Sequence, residues 1–332
     1  MNNRFGKIFV MRFIIFIFYF IVLLVESSFS KECNPQKKTE FTFQRGYFYL
    51  VGNPANFDPC HSSVDFTIGS SSSQKQPLVI GVHGGGGKRD TTGAIKFFNN
   101  KGFSTLVFDA YEMNGITDYR SNMVKYGNPV RQQMIFPVTV GAIEWAIKQK
   151  NIDTNNVYIW GISNGATVVA NIAAVFDKKK IKAVFSEAPT NVGMGMPDDL
   201  KAPLVLIFGK KDNYGSTKKD GWRWLDKTPC RLSVSISSAP KGNTFNCNQF
   251  TNQESLTENH ISWFDKQKSK KADIQLWFYE DAAHSIFAPR LDWESSRTHP
   301  KTNITWYTSV GAKDYIKEKY KKDLLQYITN KK

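Results

Sequence analysis

The chain has 332 residues, 41% of them hydrophobic and 22% charged, with a formal net charge of +15. That length can bury a large core, most simply as one α/β domain with insertions, and ordinary apolar and charged fractions exclude a disordered chain. The positive excess is mostly lysine spread along the chain, with its densest run, Lys313–Lys322, at helical spacing. That run reads as a solvated helix face, and no recognisable nucleic-acid module accompanies it, so no specific nucleic-acid partner is expected.

The first element is an export signal. Arg4, Lys7 and Arg12 precede the unbroken apolar run Phe13–Val25, and small residues follow at Ser28 and Ser30. A basic start, an apolar stretch and small residues match a secretory signal over residues 1–30, leaving residues 31–332 as the mature domain. Thirteen apolar residues are short for the roughly 30 Å hydrocarbon core, so no stable span is expected after cleavage, and an uncleaved anchor is the alternative. The protein is expected outside the cytoplasm or in a periplasm. There, four cysteines favour two disulfides. Of three connectivities, Cys33–Cys60 and Cys230–Cys247 each close a short loop and are the expected pairs. Zinc is the rival, but no C-x-x-C or H-E-x-x-H spacing occurs and the five histidines are scattered.

Beyond the signal, strand-like runs alternate with helical patterns, the mark of a mostly parallel sheet with helices on both faces. Tyr47–Val51 and Val64–Ile68 read as early strands, and Leu78–Val82 as a buried strand running into His83 and four glycines. Thr91–Asn100 reads as a helix stopped by Gly102, followed by a strand at Ser104–Phe108. Val130–Lys150 has the spacing of a long helix, with Ile135, Val138, Ala142, Trp145 and Ala146 on one face. Val157–Trp160 is a strand, Asn164–Phe176 a small-residue helix, and Ala183–Phe185, Leu204–Phe208 and Ile274–Tyr279 three more strands. Thr305–Ile328 reads as a helix with a weak point at Gly311. The interval 214–271 breaks the rhythm and reads as an insertion before the last strand.

The chemistry centres on Gly161-Ile162-Ser163-Asn164-Gly165. G-x-S-x-G alone is weak, since chance gives roughly 0.1 match in a chain this long. A strand before it and a helix after it make it a nucleophile turn, in which flanking glycines leave room that a Cβ would fill. The helix start then offers the Asn164 N–H to a developing oxyanion. Upstream, "GVHGGGGKRD" (81–90) supplies a second donor at Gly85 or Gly86. A phosphate cradle would end in G-K-[ST], which Gly87-Lys88-Arg89 does not match, and His83 reads as a structural histidine of that turn. Asp212, in the loop after Leu204–Phe208, is the expected acid, with Glu187 the runner-up. His284, after Ile274–Tyr279, is the expected base, giving the chain order Ser163, Asp212, His284 of an α/β-hydrolase triad. His260 and His299 follow no strand and are poorer candidates. Tyr111, Glu112, Arg131 and Trp222 are candidates for lining the substrate pocket, with Trp224 beside Trp222 as a second cover. For Tyr111 and Glu112 a surface loop is the equal alternative, and for Trp222 and Trp224 packing of the insertion itself; Arg131, the weaker candidate, would bind a substrate carboxylate. Asn303-Ile304-Thr305 fits a glycosylation pattern, which matters only in a cell that glycosylates.

From about Gln76 to Ile328 the chain resembles α/β-hydrolases, most closely the dienelactone hydrolase-related serine esterases. The segment "KGFSTLVFDAYEMNG", then a long helix, then "NVYIWGISNGA" is similar to that family's order of strand, loop, helix and nucleophile turn. The dienelactone enzymes proper use a cysteine where this chain has Ser163, and the 58-residue interval 214–271 is long for that fold. The Ser-Asn-Gly turn and the HGGGG run equally resemble secreted polyhydroxybutyrate depolymerase and feruloyl esterase relatives. The resemblance implies the α/β-hydrolase fold and the triad. The expectation is a secreted carboxylic-ester hydrolase acting through an acyl-serine on a small-molecule or polymer ester, without metal or organic cofactor. A peptidase, amidase or acyltransferase on the same fold is the first alternative, and a catalytically silent binder of anionic polymers or membranes the second.

Overall fold

In the computed structural model, the residues described are 42–45, 48–51, 57–70, 75–116, 128–190, 194–225, 259–298, 303 and 305–330. All lie within the compact unit Pro35–Lys332. Residues 1–30, where a signal is expected, and residues 226–258 fall outside them, as do Cys33, Cys230 and Cys247. Cys60 is disulfide-bonded, and both expected pairings involve cysteines outside the described residues.

Strands β1 (Thr42–Arg45) and β2 (Phe48–Val51) form an antiparallel hairpin. The central sheet is built from β3 (Asp65–Thr67), β4 (Gln76–Val82), β5 (Ser104–Val107), β6 (Ile152–Ile162), β7 (Ala183–Glu187), β8 (Leu204–Gly209) and β9 (Ile274–Tyr279). Their spatial order is β3-β5-β4-β6-β7-β8-β9. Only the edge strand β3 runs antiparallel; the other pairs are parallel. Parallel strands need covered faces and therefore read as continuous apolar runs.

The alternation of side chains divides that apolar content between two cores. Leu78, Ile80 and Val82 of β4 enter the core shared with α3 (Asn128–Ala146), α4 (Asn164–Val175) and Trp263 of α5 (His260–Ser269). Val79 faces the other way, into the core shared with α1 (Thr92–Asn100) and α6 (Asp314–Asn330). A four-residue helix, α2 (Ala110–Met113), follows β5 and is N-capped by Asp109, whose carboxylate accepts from the Tyr111 and Glu112 N–H groups. Residues 135–143 of α3 are buried throughout, so the single apolar stripe expected there was too narrow. A helix apolar all round is one enclosed by its neighbours.

Two sequence expectations change. Thr305–Ile328 is not one helix: Thr305–Tyr307 forms β11, paired antiparallel with β10 (Ser296–Thr298), and the helix begins at Asp314. Thr305-Trp306-Tyr307 has the β-branched and aromatic content of a strand. Gly311 has φ 85°, and a Cβ there would lie 2.1 Å from the Arg290 carbonyl oxygen. The interval 214–271 also contains α5, which links the parallel strands β8 and β9 as such a pair requires. Asn259 starts it with a capping box: its side chain accepts from the Ser262 N–H at 2.8 Å, and Ser262 Oγ accepts from the Asn259 N–H at 3.0 Å. Trp263 Nε1 and Gln267 Nε2 then donate to the carbonyls of Pro197 (2.7 Å) and Asp198 (2.8 Å), which seats α5 beside the sheet.

Candidate active site

The loops that follow β6, β8 and β9 leave the same end of the parallel sheet, where ligands bind in such folds. Ser163 stands between β6 and α4 with φ 58° and ψ −116°. A left-handed conformation in a non-glycine residue costs on the order of 1–3 kcal/mol and needs surrounding structure to hold it. The neighbours leave no space for a side chain on either flank. A Cβ on Gly161 would lie 2.6 Å from the Gly165 carbonyl oxygen, and one on Gly165 would lie 2.4 Å from the carbonyl oxygens of Val82 and His83. The turn is tied down by Ser163 N–H donating to the Glu187 carbonyl (2.9 Å) and Thr167 N–H donating to the Ser163 carbonyl (3.2 Å). Ser163 itself is half-buried in a stretch that is otherwise buried.

His284 and Asp212 come together across 72 residues of sequence. His284 Nδ1 lies 3.0 Å from Asp212 Oδ2, and both side chains are nearly enclosed, at 7% and 0% exposure. A carboxylate there accepts from Nδ1–H, which leaves Nε2 as the basic nitrogen. Asp212 Oδ1 accepts from the Tyr214 N–H at 3.0 Å. The Tyr214 ring stacks on the imidazole with centroids 4.5 Å apart and planes 25° apart. The His284 backbone is held as well, because its carbonyl accepts from the Gly311 N–H at 2.9 Å.

The glycine turn after β4 packs against this centre. A Cβ on Gly84 would lie 3.0 Å from Ser163 Cβ and 3.1 Å from Asp90 Oδ2. Asp90 accepts from the Gly86 N–H at 2.7 Å, so of the two expected oxyanion donors Gly86 is already engaged. Burial raises the Asp90 carboxyl above its ordinary range, against the Gly86 hydrogen bond and the fields of His83, Arg89 and His284. Sequence reading passed over Asp90; the signal for it was an acidic residue three positions after the last glycine of the run. His83 is structural, as its surroundings require: Nδ1 meets the Gly84 carbonyl (2.8 Å) and Nε2 accepts from the Ala110 N–H (2.9 Å).

The remaining candidates divide. Asn164 opens α4 with its side-chain oxygen accepting from Gln132 Nε2 (3.0 Å), while Gln132 Oε1 accepts from the Met194 N–H (2.8 Å). Its backbone N–H sits in the first turn of a 12-residue helix, where the positive end of the dipole lies. Tyr111 is 1% exposed and donates its hydroxyl to the Gly84 carbonyl at 3.1 Å, bracing the glycine turn from beneath. Burial raises its phenol above the ordinary range. Glu112 is half-buried on the same short helix. Burial pushes the Arg131 guanidinium, on α3, below its ordinary range, against the fields of Tyr111, Tyr214 and Asp90. Trp222 is half-buried beside Arg223, whose Nε donates to the Pro189 carbonyl at 2.9 Å. Trp224 instead packs edge-on against Phe278 of β9 at 5.1 Å. Glu187, the alternative acid, does not meet the imidazole. Its carboxylate accepts from the Ile286 N–H (2.6 Å) and the Tyr320 hydroxyl (2.8 Å).

Among the described residues no group of three or more His, Cys, Asp or Glu side chains is arranged to hold a metal ion. No helix among them is long and apolar enough to cross a membrane.

No protein-family model matches the sequence, and no curated protein does. Solved structures do. The chain overlays on the structure of m3DLH with a TM-score of 0.51 at 12% identity, covering 90% of this chain and 99% of that one. It is also similar to the dienelactone hydrolase-like promiscuous phosphotriesterase P91 from metagenomic libraries, with TM-score 0.49, 10% identity, and 89% and 98% of the two chains covered. A third is Est1E from Butyrivibrio proteoclasticus with ferulic acid bound, with TM-score 0.45, 13% identity, and 80% and 95% covered. At such identities the likeness speaks to the fold, and the m3DLH overlay carries it together with the strand order. The chain has the α/β-hydrolase fold.

Proposed function

We propose that the protein is an exported serine hydrolase that cleaves carboxylic esters through an acyl-Ser163 intermediate. The observation that carries this reading is the 3.0 Å pairing of enclosed His284 and Asp212 at the sheet end where Ser163 is held in its left-handed turn. In the reaction, His284 Nε2 takes the Ser163 hydroxyl proton as Oγ bonds to the ester carbonyl carbon. Asp212 keeps Nδ1 protonated and stabilises the imidazolium that forms. The Asn164 and Gly85 N–H groups receive the negative charge on the carbonyl oxygen, where preorganised donors act most strongly. Collapse of the tetrahedral intermediate breaks the bond to the alcohol, which leaves with the proton from Nε2. Water, deprotonated by the same nitrogen, then releases the acid and restores Ser163. Arg131, with Glu112 and Trp222, is proposed to line the side of the pocket that receives the remainder of the ester. The basic start and apolar run of residues 4–25 support export.

A fluorophosphonate probe tests the reading, because it phosphonylates only an activated serine. Stoichiometric labelling of the wild type, lost in Ser163→Ala, is expected. A folded wild type that stays unlabelled removes the serine-nucleophile reading. A panel of esters with varied acyl and alcohol groups, run with and without an added amine or alcohol acceptor, separates ester hydrolysis from amide cleavage and acyl transfer.

A further inference from the structure

Glu187 is a fully buried carboxyl group that the proposed cycle does not use. It ends β7 between the strands that carry the other site loops, in register with Ile162 of β6 on one side and Ile207 of β8 on the other. Its exposure is 0%. Both carboxylate oxygens are engaged: Oε1 by the Ile286 N–H at 2.6 Å and Oε2 by the Tyr320 hydroxyl at 2.8 Å. The Tyr320 oxygen in turn accepts from Trp160 Nε1 at 3.0 Å. The backbone carbonyl of the same residue accepts from the Ser163 N–H at 2.9 Å. One residue thus touches both the nucleophile and the turn that follows the base.

The backbone around these bonds is strained in a consistent way. Of five non-glycine residues with positive φ among the described ones, three flank Glu187 or its partners: Ser163 (58°), Ala188 (52°) and Ser285 (59°). Ser285 lies between His284 and Ile286, so its left-handed turn directs the Ile286 N–H inward while His284 points at Asp212. Such conformations persist only where neighbours over-determine them. Around Ser285 the restraints are the Gly311 N–H on the His284 carbonyl and the Glu187 carboxylate on the Ile286 N–H.

We propose that Glu187 is the positioning residue that sets the nucleophile and the base in one register, its carbonyl fixing Ser163 and its carboxylate fixing the turn after His284. It acts through backbone groups and does not touch the imidazole, whose Nδ1 belongs to Asp212. The proposal rests on the serine-hydrolase reading for its catalytic consequence. A misplacement of about 1 Å is known to lower rates on the order of 100-fold, which sets the scale of the effect.

The test compares full-length wild type, Glu187→Gln, Glu187→Asp and Glu187→Leu. The measurements are the rate of fluorophosphonate labelling, kcat and KM on a p-nitrophenyl ester, and amide hydrogen exchange in the segments that contain Ser163 and Ile286. Leucine, which removes the acceptor, is expected to lower labelling and kcat on the order of 100-fold with KM unchanged, and to speed exchange in both segments. Glutamine keeps an oxygen for the Ile286 N–H and is expected to restore most of the rate. Aspartate, one methylene short, is expected to behave like leucine. A folded leucine variant with wild-type rate and exchange overturns the proposal, as does a glutamine variant as slow as leucine. If the leucine variant does not fold, equal rates for aspartate and glutamine overturn it. An unlabelled wild type overturns the hydrolase reading instead, and the exchange comparison then decides whether Glu187 holds the two turns.

Discussion

Replacing Glu187 by glutamine should change the pH dependence of stability in a direction fixed by its burial. Burial pushes the carboxyl from its ordinary 4.5 up to about 7, against the hydrogen bonds from Tyr320, Ile286 and Trp160, and the nearby Asp212 charge adds to the rise. Below pH 4.5 the group is protonated in both folded and unfolded chains and its contribution is fully present. As pH rises, the unfolded chain releases a proton that the folded chain still holds, so stability falls until the pH passes about 7. At 1.36 kcal/mol per pKa unit, a rise from 4.5 to about 7 corresponds to a loss on the order of 3 kcal/mol. Against a typical total of about 5–15 kcal/mol, that is a large fraction. Glutamine fills the same space, accepts from Ile286, donates toward Tyr320 and does not titrate. Urea unfolding followed by tryptophan fluorescence from pH 5 to pH 9 gives the difference between wild type and Glu187→Gln, in which other titrating groups cancel. The difference should shift by about 2–3 kcal/mol in favour of glutamine as pH rises. A difference that stays flat across this range refutes the assignment of a buried, late-ionising carboxyl to this position.

Further outcomes follow from the site geometry. Asp212→Asn leaves the size of the side chain but removes the acceptor that selects the His284 tautomer; kcat for ester hydrolysis should fall on the order of 10⁴-fold with little change in KM. Gly165→Ala places a methyl 2.4 Å from two backbone oxygens of the β4 terminus, which cannot move aside as a flexible side chain would. Denaturant unfolding should show a loss of about 1–3 kcal/mol or more, whereas unchanged stability would mean the turn is looser than its contacts indicate. Asp90→Ala releases the Gly86 N–H and with it the shape of the glycine turn. The rate of fluorophosphonate labelling should fall at least about 10-fold, while Asp90→Asn, which retains an acceptor, should stay near wild type.

The strand-to-helix turn at Ser163 and the loop positions of Asp212 and His284 were legible in the sequence because each is local: a strand, a short polar loop and a chemically suited residue. Buried parallel strands announce themselves as apolar runs, and Leu204–Gly209 and Ile274–Tyr279 stand almost where the sequence puts them. Where a pattern fits two structures, the sequence misleads. Thr305–Tyr307 reads as the start of a helix until β10 is there to pair with it, and α5 is concealed in polar text because its buried residues, His260, Trp263 and Gln267, do not form an apolar stripe.

Residue chemistry and chain order alone singled out Ser163, Asp212 and His284 as candidates for one reaction, since nucleophile, acid and base each need a particular side chain after a particular strand. Tertiary structure decided how neighbouring groups are shared among them. It gave the Gly86 N–H to Asp90 and Tyr111 to the underside of the glycine turn. It also gave the His284 ring to Asp212 rather than Glu187. These assignments depend on hydrogen bonds between residues 4 to 72 positions apart. Such bonds are fixed only when the sheet sets its strands side by side, because each donor has many partners of suitable type in the sequence and few within reach in space.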